Sequence, residues 1–454
     1  MGVGWTVGQV IELAPDASSE KAGRGLAKAV KWSLLGQSDR AVWGEIKGSG
    51  KTPYQARIDL SEPAFKCSCP SRKFPCKHSL GLFLVFAEDP HSFPRGEPPG
   101  WVADWLEGRD GRAEKKAERA DRKKEAPADP EAQAKRAAAR EGKIASGLDE
   151  LEVWLADLLR RGFAGLAAES YSFWDGMAAR MVDAQAPGLA RQVRALGELV
   201  SSGDGWENRL LAAIARLHII ARGYRRIDGL EPDLRDDLRS AVGWTVNKDD
   251  LADLPGVADD WILLGQRIED EDRLRTQWNW LWGIESQRPA LILNFAAGNQ
   301  PLDVSMIPGT RFHAELVYYP GGLSLRALLR DRTGDTHAAA GMPATPTVAE
   351  ALRTYGMALT RAPWLERWPM AVGGVRPLRR ADGVWLLQDA AGGMLPIAPR
   401  FGHVWELLAV GGGGPVDIFG EWDGDCLDPL SVCAAERFFV TGHNRSGAAL
   451  TRVA

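Results

Sequence analysis

Apolar residues return every three or four positions through the middle of the chain: Leu148, Leu151, Leu155, Leu158 and Leu159, then Leu189, Val193, Leu196 and Leu199, then Leu210, Ile214 and Leu217. This spacing lays an apolar stripe along each segment and predicts several amphipathic helices in a helical domain over 148–250. From about Trp261 the pattern changes. Short β-like runs at 261–264, 289–295, 312–319, 384–387 and 404–410 are separated by glycine-rich turns, including 411–414. They predict antiparallel strands in a β-rich region over 251–454, interrupted by one helix near 347–359. A barrel, a sandwich and an α+β sheet fit such runs equally well.

Toward the other end, β-like runs at 41–47 and 54–60 precede a cluster of three cysteines and a histidine. An apolar, helix-like segment with Leu80, Leu82, Phe83 and Phe86 follows, so the first unit, 1–106, reads β, β, ligands, α. Residues 108–143 are rich in Ala, Lys, Arg and Glu, carry Pro127 and Pro130, and contain almost no large apolar side chain. A charged linker or solvated helix over 107–147 is expected there.

Composition narrows the class. With 454 residues, 45% hydrophobic and 26% charged, the chain has material for two to four folded domains rather than a disordered polymer. A formal net charge of -4 restricts any polyanion contact to a local patch. Three of the five cysteines fall between positions 67 and 76, which is not the spread framework of a secreted disulfide scaffold. The longest apolar run, 80–87, is too short to span a bilayer. A cytoplasmic protein with no membrane partner is expected.

The cluster reads Phe65-Lys-Cys-Ser-Cys-Pro-Ser-Arg-Lys-Phe-Pro-Cys-Lys-His78. In extended chain, residues two apart project from one face, so Cys67 and Cys69 can turn both sulfurs toward one point. A loop through Pro70 and Pro75 can return Cys76 and His78 to complete a tetrahedron with Zn–S near ~2.3 Å and Zn–N near ~2.0–2.1 Å. Four protein ligands leave no position for water or substrate, which is the arrangement of a structural Zn2+. Lys66, Arg72, Lys73 and Lys77 surround a centre whose formal charge sums to about -1, and they are candidate contacts for an anionic partner.

These residues, with the two preceding β-like runs and the following apolar helix, resemble the SWIM zinc finger over roughly 40–90. The resemblance implies that Cys67, Cys69, Cys76 and His78 bind zinc and that the module contacts DNA or another protein. The segment 177–190 looks like that of bacterial SWIM finger proteins. For that group the resemblance implies an association with MoxR-type AAA+ ATPases and von Willebrand factor A proteins. The expected fold class is α+β multidomain, with an N-terminal ββα zinc-binding module, a helical middle domain and a β-rich C-terminal region.

Other signals have simpler readings. Gly48-Ser-Gly-Lys-Thr52 imitates the end of a phosphate-binding loop, but Glu45 stands where its first glycine belongs and a β-like run follows. A hairpin turn is expected. Cys426 and Cys433, near Asp423, Asp425 and Asp428 and ahead of His443, match no standard metal spacing and read as buried or semi-buried thiols of a β-domain. His218 reads as a core or boundary histidine, and the acidic run 269–272 as a hairpin turn. Alternating Trp278, Trp280 and Trp282 share one face of a strand and read as core packing rather than a stacking platform. The basic stretch 109–124 is interleaved with Glu114, Glu118 and Asp121 at helical spacing, which predicts intrahelical ion pairs. With no nucleophile–base pair in view, no catalytic residue is assigned. An adaptor that docks a protein partner is expected; the alternatives are DNA binding through the finger and an unrecognised enzyme in the C-terminal β-region.

Overall fold

The two β-like runs that precede the cysteines form the centre of an antiparallel sheet. The computed structural model describes the chain except residues 1–4, 6, 49–51, 62–63, 72, 126–129, 201, 247, 272–273, 298–301, 304, 441–450 and 453–454. Helices α1 (Val7–Glu12) and α2 (Ala17–Arg24) come first, followed by strands β1 (Trp32–Gln37), β2 (Ala41–Ile46), β3 (Tyr54–Asp59) and β4 (Ala64–Cys67), which lie side by side in that order. Strands β2 and β3 pair from Ala41↔Asp59 to Ile46↔Tyr54, so the glycine–lysine segment between them is a hairpin connection, with 49–51 outside the described residues.

Helix α3 (Lys77–Glu88) covers one face of this sheet, packing with Trp5, Val10, Trp32, Ile58 and Phe65. Helix α4 (Gly100–Glu125) covers the other, where Trp105 and Val102 meet Ala41 and Trp43. Asp59, fully buried, accepts hydrogen bonds from Arg40 Nη2 and Arg109 Nε, each at 3.1 Å. Arg109 therefore fastens α4 to the sheet. The side chains of the rest of that charged run, from residue 113, lie outside the described residues.

The helical spacing is realised as α5 (Pro130–Arg161), α6 (Tyr171–Asp183), α7 (Pro187–Leu199), α8 (Trp206–Tyr224) and α9 (Pro232–Val242). Leu148, Leu151, Leu155, Leu189, Val193 and Leu217 converge on one core, to which Ile144 adds an earlier turn of α5. His218 is exposed and sits 3.8 Å from Glu152, which corrects the core or boundary reading. Leu217 and Ile220 take the inward positions of α8, and one residue's rotation turns His218 to solvent.

Strands β5 (Val257–Glu271), β6 (Leu274–Gly283), β7 (Pro289–Ala297), β8 (Thr310–Tyr318) and β9 (Ala327–Ala338) form a five-stranded sheet of order β7-β6-β5-β8-β9. Its ends meet through a parallel bridge, Leu291↔Arg326, so the sheet curls toward closure. This order with a parallel closing contact is the topology of an OB-type Greek-key barrel. Alternation along β5 puts Trp261 and Leu263 inside the barrel and Ile262 and Leu264 outside. Gly265 sits at a bulge where a Cβ would come within 2.8 Å of Phe419 and Leu430 side chains.

After α10 (Val348–Arg361), strands β10 (Trp368–Arg379), β11 (Trp385–Gln388) and β12 (Met394–Pro396), helix α11 (Val404–Val410) and strands β13 (Val416–Trp422), β14 (Leu427–Ala434), β15 (Arg437–Val440) and β16 (Thr451–Arg452) complete the chain. They build a seven-stranded sheet, β12-β11-β10-β13-β14-β15-β16, that packs between α10 and α11 on one side and the barrel exterior on the other. The run 404–410 was expected as a strand and is a helix. Val404 and Leu407 are buried three positions apart while Trp405 is exposed, a helical period hidden by valines at both ends.

Trp280 is buried between barrel and sheet, and Trp278 and Trp282 pack against the same cluster, so the tryptophan row lies in the interior. At that junction Glu421, 2% exposed, accepts from Trp280 Nε1 at 2.8 Å, Arg367 Nη1 at 2.8 Å and Arg267 Nε at 3.1 Å. The parts of the chain also meet one another. Arg191 of α7 makes two hydrogen bonds to Glu366, at 3.0 and 3.1 Å, and Asp237 of α9 accepts the Gly322 N–H at 3.0 Å. Ile307 and Val440 enter the core beneath α3.

Candidate metal centre

Strand β4 sets the first ligand. Its register with β3, Ala56↔Cys67 and Ile58↔Phe65, places Cys67 and the buried Phe65 on the α3 side and turns Lys66 to the opposite face. The pairing continues one residue further, with Ser68 N–H donating to Gln55 O at 3.1 Å and Gln55 N–H to Ser68 Oγ at 2.9 Å. The chain then leaves the sheet through Cys69 and returns at Cys76, the N-cap of α3, with His78 in the first turn.

The spacer between them is anchored from outside. Lys73 Nζ lies 2.8 Å from Asp16 Oδ2 and donates to Ser18 Oγ at 2.9 Å. Asp16 also caps α2 by accepting the Ser19 N–H at 2.7 Å, and the Lys73 contact holds its carboxyl far below the usual range. Lys73 is thus committed within the chain. Lys66 and Lys77 are exposed, and Arg72 lies outside the described residues.

One donor atom from each of Cys67, Cys69, Cys76 and His78 lies within 4.8 Å of the others. His78 Nδ1 faces the sulfurs, 3.9 Å from Cys67 Sγ and 4.0 Å from Cys76 Sγ. A tetrahedral zinc with ordinary bond lengths sets its ligand atoms roughly 3.5–3.8 Å apart, so the four donors fit the ion with small adjustments. Cys76 and His78 are 5% and 7% exposed, while Cys67 and Cys69 are half-buried, so the centre is sealed on the helix side and approachable on the loop side. The Tyr54 ring packs against the imidazole with centroids 5.0 Å apart.

The three thiols are not equivalent. Cys76 is pushed down, chiefly by its contact with Cys67, with His78 and Ser79 adding to the effect. The same contact and burial push Cys67 up, and burial raises Cys69. Zinc takes its sulfur ligands as thiolates, so closing the cluster on the ion releases the protons its thiols hold.

Among the described residues this is the one group of three or more histidine, cysteine or acidic side chains arranged to hold a metal. Cys426 instead lies 3.5 Å from Asp423, and burial followed by that carboxylate pushes its thiol up to about 12; Cys433 is buried, and His443 lies outside the described residues. Spacing alone could not reveal Asp16, which comes to the spacer from far back in the chain, whereas Tyr54 lies on β3, the strand paired with the ligand strand.

Three sulfurs and one imidazole with no open coordination position define a structural zinc finger. A family profile described as the SWIM zinc finger matches residues 62–86, and another, described as the SWIM-associated four-helix bundle domain, matches 139–242. The chain carries a SWIM zinc finger together with its associated helical bundle, and Cys67, Cys69, Cys76 and His78 are positioned to hold one structural Zn2+. No curated protein and no solved structure matches the chain.

Proposed function

We propose that the chain is a cytoplasmic, non-catalytic adaptor that docks a protein partner, with zinc acting as a structural fastener. The observation that carries this reading is the burial of α3: every residue from His78 to Phe86 is buried. A finger that reads DNA lays an exposed helix in the major groove. Here that helix is spent on the chain's own core, where each fully buried Leu or Phe contributes about 1.5–3 kcal/mol. Lys73 is held by Asp16, Lys66 faces away from the ligands, and the net charge is -4, all of which favour a protein over a polyanion. Among the described residues no helix is long and apolar enough to cross a membrane.

The resemblance to bacterial SWIM proteins makes a MoxR-type AAA+ ATPase or a von Willebrand factor A protein the partner to try first. Purification of the full chain from native cells at moderate salt tests the proposal. A stoichiometric protein partner that survives nuclease treatment is the expected result. Recovery of nucleic acid with no protein, and a steep fall of affinity with salt, would assign the finger to DNA instead.

A further inference from the structure

We propose that the finger is also a hydroperoxide-sensitive switch, in which Cys69 takes up the peroxide oxygen, Cys76 closes a disulfide upon it, and α3 loses its cap. The inference goes beyond partner docking and rests on the metal centre alone.

Access comes first. Cys69 lies in a stretch where Ser68, Pro70, Ser71, Lys73 and Phe74 are exposed, and it is itself half-buried, so a small hydroperoxide reaches it from the loop side. Cys76 is buried behind it and shielded from direct attack. Proximity comes second. The donor atoms lie within 4.8 Å of one another, so a sulfur–sulfur bond requires movement of the spacer loop and not of the sheet. Cys67, only two residues from Cys69 and held in β4, is the less suitable partner for ring closure.

The chemistry balances without an outside reductant. The Cys69 thiolate attacks the hydroperoxide, an S–O bond forms, the O–O bond breaks, and hydroxide or alkoxide leaves, giving a sulfenic acid. The Cys76 thiolate then attacks that sulfur, the S–S bond forms, and the S–O bond breaks with loss of hydroxide. Two thiolates give up two electrons in total and the peroxide accepts them. Two of the four metal donors are consumed, and Cys67 with His78 alone do not retain zinc.

The structural consequence follows from the place of Cys76. Its sulfur accepts the Ser79 N–H and lies 3.5 Å from Ser79 Oγ, so converting the thiolate to a disulfide sulfur removes the anion from the start of α3. Because α3 packs in the core that holds Ile307 and Val440, the change reaches the junction with the C-terminal region.

The chain supplies its own slow thiols for comparison. Cys426 is half-buried beside Asp423, and Cys433 is buried within β14; burial raises both. Zinc-loaded full-length protein is titrated with hydrogen peroxide while released metal is followed with a chromogenic chelator. Alkylation, peptide mapping and hydrogen exchange follow. The expected result is loss of one zinc per chain, a Cys69–Cys76 disulfide, Cys426 and Cys433 still open to alkylation after unfolding, and reduced protection in α3. A dithiol with added zinc reverses all of these. Zinc retained through a large excess of peroxide overturns the proposal, as does metal loss with the disulfide elsewhere or with the cluster sulfurs only over-oxidised. Cys426→Ser, which leaves the ligands intact, must release zinc at the parent rate; slower release also overturns it.

Discussion

The Sγ of Cys76 accepts the backbone N–H of Ser79 at 3.5 Å, so the third ligand of the metal centre is also the cap of the helix packed beneath it. Coordination and helix initiation are one structural event here, and neither can be altered alone.

Metal removal therefore acts first on α3 and β4. Structural zinc supplies roughly 10–16 kcal/mol of apparent folding free energy in zinc-finger peptides; a smaller share is expected here, because α3 also has a packed core. Stripping the ion with a strong chelator is expected to raise hydrogen exchange in 64–88 well before the bundle helices respond. Unchanged exchange in that segment after verified zinc loss would refute the structural role.

Glu421 holds two arginines and an indole in a nearly dry junction. Glu421→Ala leaves the buried Arg267 with the half-exposed Glu269 as its remaining carboxylate partner, and a loss of about 3 kcal/mol is expected, the low end for one half of a buried ion pair. Glu366→Ala removes a partly exposed partner of Arg191, so the expected loss is under about 1 kcal/mol. Urea titration of both variants checks the contrast, and equal midpoints would contradict it.

Asp237 gives a pH dependence. Burial pushes its carboxyl up to about 6, and Asp233 and Asp236 add to the rise while the Gly322 N–H opposes it. The folded value lies above the ordinary 3.8, so the folded chain holds this proton to higher pH than the unfolded one. The stabilising contribution is full below the ordinary value and is lost as pH rises through about 6. Asp237→Asn is expected to stabilise by on the order of 1–2 kcal/mol near pH 8 and to change little near pH 4. A gain confined to the acidic side would show that the sign is wrong.

Gly188 marks a contact with no spare volume. A Cβ there would fall 2.3 Å from Ala241 O and 2.9 Å from the Val242 carbonyl carbon, both of them backbone atoms at the end of α9. Gly188→Ala is expected to destabilise the bundle by about 1–3 kcal/mol despite alanine's better helix propensity. Thermal unfolding settles it; a raised midpoint would mean that α7 and α9 part at no cost.

What could be read from the sequence followed the range of the interactions. The ligand set was legible because Cys67, Cys69, Cys76 and His78 fall within twelve residues and local geometry alone brings them together. The middle helices were legible because one apolar stripe faces one core. Strand β1 was missed because its burial does not alternate, and β4 because four residues carry too little pattern. Strands β13 and β14 are covered on both faces, which erases alternation, and Pro429 lies within β14. The pairing of Lys73 with Asp16 depends on the folded path between α2 and the spacer, so no local motif announces it.

Since Ile307 and Val440 complete the hydrophobic interior under α3, the first hundred residues are not self-sufficient. Excised alone, they would leave aliphatic and indole carbon facing water where the distant segments now lie. Precipitation of such a fragment would report the missing chain and not a feeble grip on the ion. Binding work on this finger accordingly belongs with the intact polypeptide.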